Sequence, residues 1–239
     1  MNVWIILSGI LAPALFWMGY FYYKDRFQPE PLERIGAAYL LGMAGALACV
    51  AALRGLPLVG LPYDPSALME GDRFGFLLYS LAITGLTEEI FKLLPFILFV
   101  LRFRSFDEST DGILYACFIA LGFASVENIR YLPHLEGFEL LGRAFASPLT
   151  HTIFSSIWGY SVGRAHMCGA PRFKAAFVGL VLAAVSHGLF NFLTVSAALR
   201  MLSSLLILSV WIWRIRILEK APSATRIDGF DSVIRSGDN

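Results

Sequence analysis

Charged residues are scarce in this chain of 239 residues. Only 15% of them are Asp, Glu, Lys or Arg, against about 25% in an average soluble domain, while 57% are hydrophobic. A soluble protein of this composition would expose enough apolar surface to aggregate, so lipid is the expected solvent for most of the chain. The same apolar content excludes an intrinsically disordered chain.

Basic blocks and cysteine motifs are also missing. The 19 Lys and Arg are balanced by 18 Asp and Glu, and no basic run precedes the C-terminal tail, which argues against a nucleic-acid partner. Cys49, Cys117 and Cys168 are far apart and form no CxxC pair, so they predict neither a disulfide framework nor a structural zinc site. The sequence contains no GxSxG with a triad partner, which disfavours a soluble-type serine hydrolase. It contains no HExxH, so any metal site would need scattered ligands.

Long apolar runs are what the sequence does contain. A spanning helix needs about 20 mostly apolar residues, and such runs here predict an all-α, polytopic transmembrane helical bundle of about seven spans, seven to eight in all. They cover residues 3–23, 35–53, 74–101, 112–132, 148–163, 173–195 and 199–213. We expect residues 1–220 to form a single membrane domain and 221–239 a polar, disordered cytoplasmic tail.

Local signals suggest where these helices begin, bend and pack. Asp111 is the predicted N-cap of the fourth span, and Ser147-Pro148 predicts an N-cap followed by a first-turn proline at the start of the fifth. Pro95 predicts a kink in the third span. Residues 133–146 alternate apolar and charged side chains, which predicts a short amphipathic piece on the outer surface. The second run carries small residues that favour close helix packing: Gly36, Gly42 and Gly45.

The distribution of Lys and Arg predicts the orientation. With seven spans, 13 of these residues fall in the odd-numbered loops and the tail, and 5 fall in the even-numbered loops. Since basic residues concentrate on the cytoplasmic side, we expect a multi-pass protein of the cell membrane with its N-terminus outside and its C-terminus in the cytoplasm.

Ionisable and amide side chains interrupt four of the apolar runs. Such residues are costly in lipid and mark functional sites by default. At 1.5 Å per residue, all four sets fall about 18–22 Å from the inner ends of their spans, so they predict one polar layer in the outer half of the membrane. The candidate catalytic residues are Glu88, Glu89, Lys92, Glu127, Asn128, His151, His187 and Asn191, with Ser155 as a weaker member.

Helical spacing indicates which of these side chains share a face. Glu88 and Lys92 are four residues apart, as favoured for an ion pair, whereas Glu89 lies about 100° further round. His151 shares a face with Ser155, and His187 shares one with Asn191.

Three carboxylates and one ammonium cannot stay charged and unassisted in a dry pocket. A shared proton, protonated histidines or a bound divalent cation would each resolve the imbalance. The first and third solutions yield an activated water, with a glutamate as general base. No cofactor is assigned, and zinc stays open because two His and one Glu form a known catalytic zinc set.

Two other functions fit the same residues. An ion- or proton-coupled transporter would use the glutamates to bind its ion, but it should show broken helices and matching halves, and the sequence has no internal repeat. A scaffold that only binds a partner's transmembrane helix would tolerate substitution of Glu88 and His187.

Taken together and in order, four motifs resemble those of the PrsW-type intramembrane proteases, which belong to the wider clan of membrane-embedded CAAX-processing and bacteriocin-processing proteases. They are EExxK at residues 88–92, FxxxEN at 123–128, HxxxS at 151–155 and HxxxN at 187–191. The resemblance covers residues 74–191 and the general helical layout before them.

The resemblance implies an endopeptidase that uses a glutamate-activated water, although members are often labelled metalloproteases. It implies that Glu88 or Glu89 is the base, that Glu127 helps to position the water, and that His187 and Asn191 form the oxyanion site. It also implies a single-pass substrate in the bilayer, of the anti-sigma-factor type, cut near its extracytoplasmic side in regulated proteolysis. CAAX-type relatives carry His where this chain has Glu127, which argues against prenylated substrates.

Overall fold

The computed structural model describes residues 3–26, 28–196 and 198–220, and these form helices and connecting segments with no strand among them. The predicted tail, 221–239, lies outside the described residues. The helices are α1 (Val3–Lys24), α2 (Leu32–Leu53), α3 (Ser66–Gly71), α4 (Arg73–Tyr79), α5 (Leu86–Leu98), α6 (Asp111–Tyr131), α7 (Gly137–Met167), α8 (Arg172–Val195) and α9 (Arg200–Lys220). Single 3-10 turns cover Leu56–Val59, Val100–Arg102 and Leu132–His134.

Four segments within the described residues are long and apolar enough to cross a membrane: Trp4–Lys24, Leu32–Val59, Asp111–His134 and Arg172–Val195. They confirm a polytopic, all-helical membrane protein, while the count of seven spans stays a prediction. Helices α5 and α7, which carry polar site residues, are not in this set.

Helix α6 is the centre of the bundle. Within its most apolar stretch 89% of the residues are buried, whereas the corresponding share for α1 is 22%. Helices α1, α2 and α7 pack around α6, α8 packs on α7 and α5, and α9 closes the bundle against α7 and α8. The lipid-facing helices therefore surround one almost fully enclosed helix that contributes Glu127.

Glycines allow the backbones to approach closely, as expected for helix packing in membranes. A Cβ atom on Gly45 would lie 2.5 Å from the carbonyl oxygen of Phe91, the carbonyl that Pro95 leaves without its helical donor. Gly42 is equally crowded by the backbone of α6, so the predicted packing role is confirmed for both. Gly36 has no neighbour within 4 Å and does not share that role.

The third predicted span is continuous but changes its winding. Helices α4 and α5 are joined by a π-helical segment, Ser80–Gly85, so the irregularity lies before the site rather than at Pro95, which sits inside α5. This segment packs tightly on α8: Cβ atoms on Gly85 and Gly188 would lie 2.5 Å from the Ala184 carbonyl oxygen and 2.6 Å from the Leu81 Cα atom, respectively.

One predicted helix start and one predicted N-cap were wrong. Helix α7 begins at Gly137 and runs through Pro148, so Ser147 is no N-cap and the amphipathic piece is the first part of a long helix. The helix extends further because Leu140 and Ala144 bury their side chains against Ile10 and Leu132. Helix α6 begins at Asp111, but this residue is not a cap for α6.

The Asp111 carboxylate instead orders the loop in front of its helix. It accepts hydrogen bonds from the backbone N–H groups of Asp107 and Glu108, at 2.9 and 2.7 Å. The turn that enters α6 is therefore held by a side chain from within the helix.

Candidate active site

Six of the eight predicted catalytic residues, from α5, α6, α7 and α8, meet in one buried cluster. Glu88, Glu89 and Lys92 come from α5, and His151 from α7 and His187 from α8 face them. Glu89 and Lys92 have no exposed side-chain surface, and the most exposed carboxylate of the cluster is Glu127 of α6, at 15%. The polar layer expected from the four spans therefore exists as a set of direct contacts.

Glu89 is held by four hydrogen-bond donors. Its Oε1 accepts from Lys92 Nζ at 2.7 Å and from His187 Nδ1 at 2.9 Å. Its Oε2 accepts from Ser155 Oγ at 2.9 Å and from Trp158 Nε1 at 2.8 Å. A buried carboxylate with this many donors is a fixed anion that organises its neighbours.

Glu88 has the opposite environment. Its Oε2 is buried and has no hydrogen-bond partner among the described residues. Lys92 Nζ lies 3.7 Å from this oxygen, His187 Nε2 lies 3.5 Å away and His151 Nδ1 lies 3.9 Å away. The free oxygen of Glu88 thus points into a small space bounded by both histidines.

The hydrogen bonds assign the histidine tautomers. Lys92 can only donate, so His151 Nδ1, 2.7 Å from the ammonium, is the acceptor, and Nε2–H donates to Glu127 at 3.0 Å. His187 donates from Nδ1 to Glu89, which leaves Nε2 as the acceptor. The lone pairs of Glu88 Oε2 and His187 Nε2 therefore face each other at 3.5 Å and require a water, a proton or a cation between them, whereas the lone pair of His151 Nδ1 is taken by Lys92.

Aromatic rings close the walls of the site. The Lys92 ammonium lies 4.5 Å from the ring centroid of Phe123, a favourable cation–π distance. The ring of Phe154 stacks on His187 with centroids 5.4 Å apart, and the two histidine rings meet edge to face at 4.8 Å. These contacts restrict the histidine rotamers and limit the water that can enter.

Side chains of the cluster also fit a divalent cation. Ligand atoms of Glu88, His151 and His187 lie within 4.8 Å of one another. The other ring nitrogen of each histidine donates to a carboxylate, Glu127 or Glu89, which is the usual support of a metal-bound imidazole. Against this, the Lys92 ammonium occupies the nitrogen of His151 that the metal would need.

The two predicted amides are not joined to this cluster. Asn128 is buried on α6, and its Oδ1 has no hydrogen-bond partner in the described part of the chain. The side chain of Asn191 is partly exposed, and among the described residues no hydrogen bond links it to the glutamates. Their catalytic roles stay predictions.

The sequence interpretation missed two contributors. Trp158 donates directly to Glu89 and follows His151 and Ser155 at the helical spacing i, i+4, i+7, which could have revealed it. Arg143 lies 3.9 Å from Glu127 at the more exposed edge of the site. With this guanidinium, two cations face the three carboxylates.

Comparisons with known proteins agree with this geometry. The sequence profile of the family described as PrsW family intramembrane metalloprotease matches residues 30–215. Protease PrsW of Oceanobacillus iheyensis is 33% identical over 79% of this chain and 82% of its own length. The Bacillus subtilis protein of the same name is 28% identical over the same shares, and that of Clostridioides difficile is 29% identical over 88% of both chains.

No solved structure matches the chain significantly. The family match extends over more than half of the residues and includes every member of the buried cluster. These relatives are proteases, which makes this protein a peptidase and sets the transporter and scaffold interpretations aside. The chain belongs to the PrsW family of intramembrane proteases.

Proposed function

We propose that this protein hydrolyses a peptide bond of a single-pass membrane protein with a water activated by Glu88. The observation that carries the proposal is the unpartnered Oε2 of Glu88, which faces His151 Nδ1 and His187 Nε2. A water placed there would donate one hydrogen to His187 Nε2, since Lys92 occupies the lone pair of His151 Nδ1, and would be deprotonated by the carboxylate. Glu88 is therefore the base, and Glu89 is a positioning residue that fixes Lys92 and His187.

The proton balance of this reaction is simple. Glu88 takes a proton from the water while the water oxygen bonds to the carbonyl carbon of the substrate. The protonated Glu88 then gives that proton to the amide nitrogen as the C–N bond breaks. The tautomer of His187 makes its Nε2 an acceptor, which suits binding of the water. We therefore propose that the side-chain amide of Asn191, one turn further along α8, donates the hydrogen bond to the oxyanion in place of His187.

A divalent cation would be held by Glu88, His151 and His187. When bound, it would activate the water and polarise the carbonyl oxygen as a Lewis acid. Glu89 and Glu127 would keep the two imidazoles oriented in either case.

The substrate we propose is of the anti-sigma-factor type and is cut near its extracytoplasmic side. Three features support this: the family, the single-pass substrates that the resemblance implies, and the expected position of the polar layer in the outer half of the membrane. The N-terminus outside and the C-terminus in the cytoplasm complete the proposed arrangement.

The test is cleavage of a candidate single-pass anti-sigma factor, tagged at both ends, in proteoliposomes. Wild type is compared with E88Q and H187A, and with E33Q, whose parent side chain is 78% exposed, as the matched control. We expect wild type and E33Q to release a product of one size while E88Q and H187A release none. Cleavage by E88Q at the wild-type rate would refute the assignment of the base.

A chelator arm separates the two ways of activating the water. Cleavage that is unaffected by a chelator supports a water bound by protein groups alone. Cleavage that is lost, and is restored by zinc, assigns the same three residues to a metal.

A further inference from the structure

Arg214 of α9 is a buried cation with no anionic partner among the side chains that the structure describes. It is 6% exposed, its Nη2 donates to Cys117 Sγ at 3.2 Å, and its Nε and Nη1 are buried with no hydrogen-bond partner. Among the residues whose side chains the structure describes, no carboxylate oxygen lies within 4.0 Å of this guanidinium. The face of Phe21, 4.8 Å from Cζ, compensates only part of the charge.

An apolar groove lies next to this arginine. It runs between α1, α7 and α9, has a volume of about 380 Å³, and is within the roughly 300–1,000 Å³ of pockets that hold small ligands. Its walls include Phe16, Tyr20, Leu149, Ile153, Leu208 and Trp211. Trp211 lines the groove, and its ring centroid is 5.8 Å from Cζ of Arg214, so the same indole borders both the groove and the guanidinium.

A second cation lies at the same end of the groove. Lys24 is the last residue of α1, and its Nζ lies 5.7 Å from the ring centroid of Tyr20, which lines the groove. Tyr20 in turn stacks on Trp211 with centroids 6.3 Å apart. The site therefore combines an apolar channel with two positive charges at one end, which is complementary to an amphipathic anion.

We propose that this groove binds one acyl chain of an anionic phospholipid and that Arg214 and Lys24 bind its phosphate. Basic pockets between transmembrane helices are known to hold lipid headgroups. Rotation of the Trp211 side chain would open Nε and Nη1 of Arg214 to the phosphate. On the predicted orientation, the lipid belongs to the cytoplasmic leaflet.

This lipid site is separate from the catalytic cluster. Leu149 and Ile153 line the groove, whereas His151 and Ser155 of the same helix reach the glutamates, and two residues along a helix correspond to a rotation of about 200°. The two ligands would thus occupy opposite faces of α7, and the proposal does not depend on the proteolytic mechanism.

The experiment is native mass spectrometry of the purified protein with phosphatidylglycerol or phosphatidylcholine of identical chains. The variants are R214Q and, as the matched control on the same helix, R216Q, whose parent side chain is exposed. We expect wild type and R216Q to bind phosphatidylglycerol at least tenfold more tightly than phosphatidylcholine, and R214Q to lose most of this preference because only Lys24 remains. An unchanged preference in R214Q would overturn the proposal.

Two further arms keep the result decisive. L208W places a large side chain in the groove without touching the cations, so it should weaken binding of both lipids; wild-type binding by L208W would refute the groove as the acyl site. Inorganic phosphate should not displace phosphatidylglycerol at equal concentration, and ready displacement would show a site for free phosphate instead. Thermal unfolding confirms that each variant is folded.

Discussion

Glu88 and Glu89 are adjacent in the chain, yet four donors reach the carboxylate of Glu89 and none reaches Oε2 of Glu88. One residue of rotation on α5, about 100°, separates the two environments. A group that is saturated with hydrogen bonds is suited to hold its neighbours, and a group with a free oxygen is suited to react.

The first prediction concerns this division of roles. E88Q should reduce cleavage by about 10²–10⁴-fold, the usual effect of losing a general base, with a thermal unfolding temperature near that of wild type. E89Q should lower the free energy of unfolding by about 3–5 kcal/mol, because it leaves the buried Lys92 without its charged partner. Cleavage and thermal unfolding in detergent measure both effects, and identical behaviour of the two variants would contradict the assignment.

The second prediction concerns competition between Lys92 and a metal. The ammonium lies 2.7 Å from His151 Nδ1, so a cation bound by this nitrogen must displace it. K92M should therefore bind zinc at least tenfold more tightly than wild type in equilibrium dialysis with elemental analysis.

H187A in the K92M background is the control for this second prediction, since it removes a proposed ligand and should abolish the gain. Weaker zinc binding by K92M would mean that the lysine supports the metal rather than replaces it.

The third prediction tests the contact between the π-helical segment and α8. G85A places a methyl group against the Ala184 carbonyl and should lower the free energy of unfolding by about 1–3 kcal/mol, with a loss of cleavage as His187 moves away from Glu89. G36A, at a helical glycine with open surroundings, should have no effect or add up to about 1 kcal/mol of stability. Equal effects of the two substitutions would argue against the packing role.

The fourth prediction is a pH dependence outside the membrane-spanning helices. Burial raises the pKa of Asp25 from its ordinary value of 3.8 to about 6; the backbone N–H of Glu30 acts against this shift, and the nearby carboxylates of Glu30, Glu108 and Asp107 add to it. Between these pH values the folded protein binds the proton more strongly than the unfolded chain, so this residue's contribution to stability is lost as the pH rises from 4 to 6.

Thermal unfolding of wild type and D25N across this range measures the effect. The unfolding temperature of wild type should fall relative to that of D25N as the pH rises, and E33Q should follow wild type. An unfolding temperature of wild type that rises relative to that of D25N with increasing pH would contradict the raised pKa of Asp25.

Much of the fold and most residues of the candidate site could be predicted from the sequence, because charged side chains in apolar helices must face one another rather than the lipid. Glu88, Glu89, Lys92, Glu127, His151 and His187 could be grouped by their depth alone. The start of α7 could not be predicted, since Pro148 resembles a first-turn proline unless the burial of Leu140 is known.

The distinction between the two glutamates was also beyond the sequence. It depends on Trp158 and His187, which are 69 and 98 residues away from Glu89, and spacing within α5 carries no information about them. The π-helical winding of Ser80–Gly85 could not be predicted from the sequence either. It accompanies the close packing of this segment on α8 at Gly85 and Gly188, and no local helix-breaking residue marks it.

The ion pair between Lys92 and Glu89 closes within a single helix, and this has a consequence for biogenesis. During synthesis α5 emerges before its partners: His151 follows Lys92 by 59 residues and His187 follows Glu89 by 98. A helix that entered the bilayer with three unpaired charges would be strongly disfavoured. Because Lys92 and its counter-ion Glu89 lie on the same helix, α5 can enter the bilayer with this pair already formed, before the histidines of α7 and α8 have been synthesised.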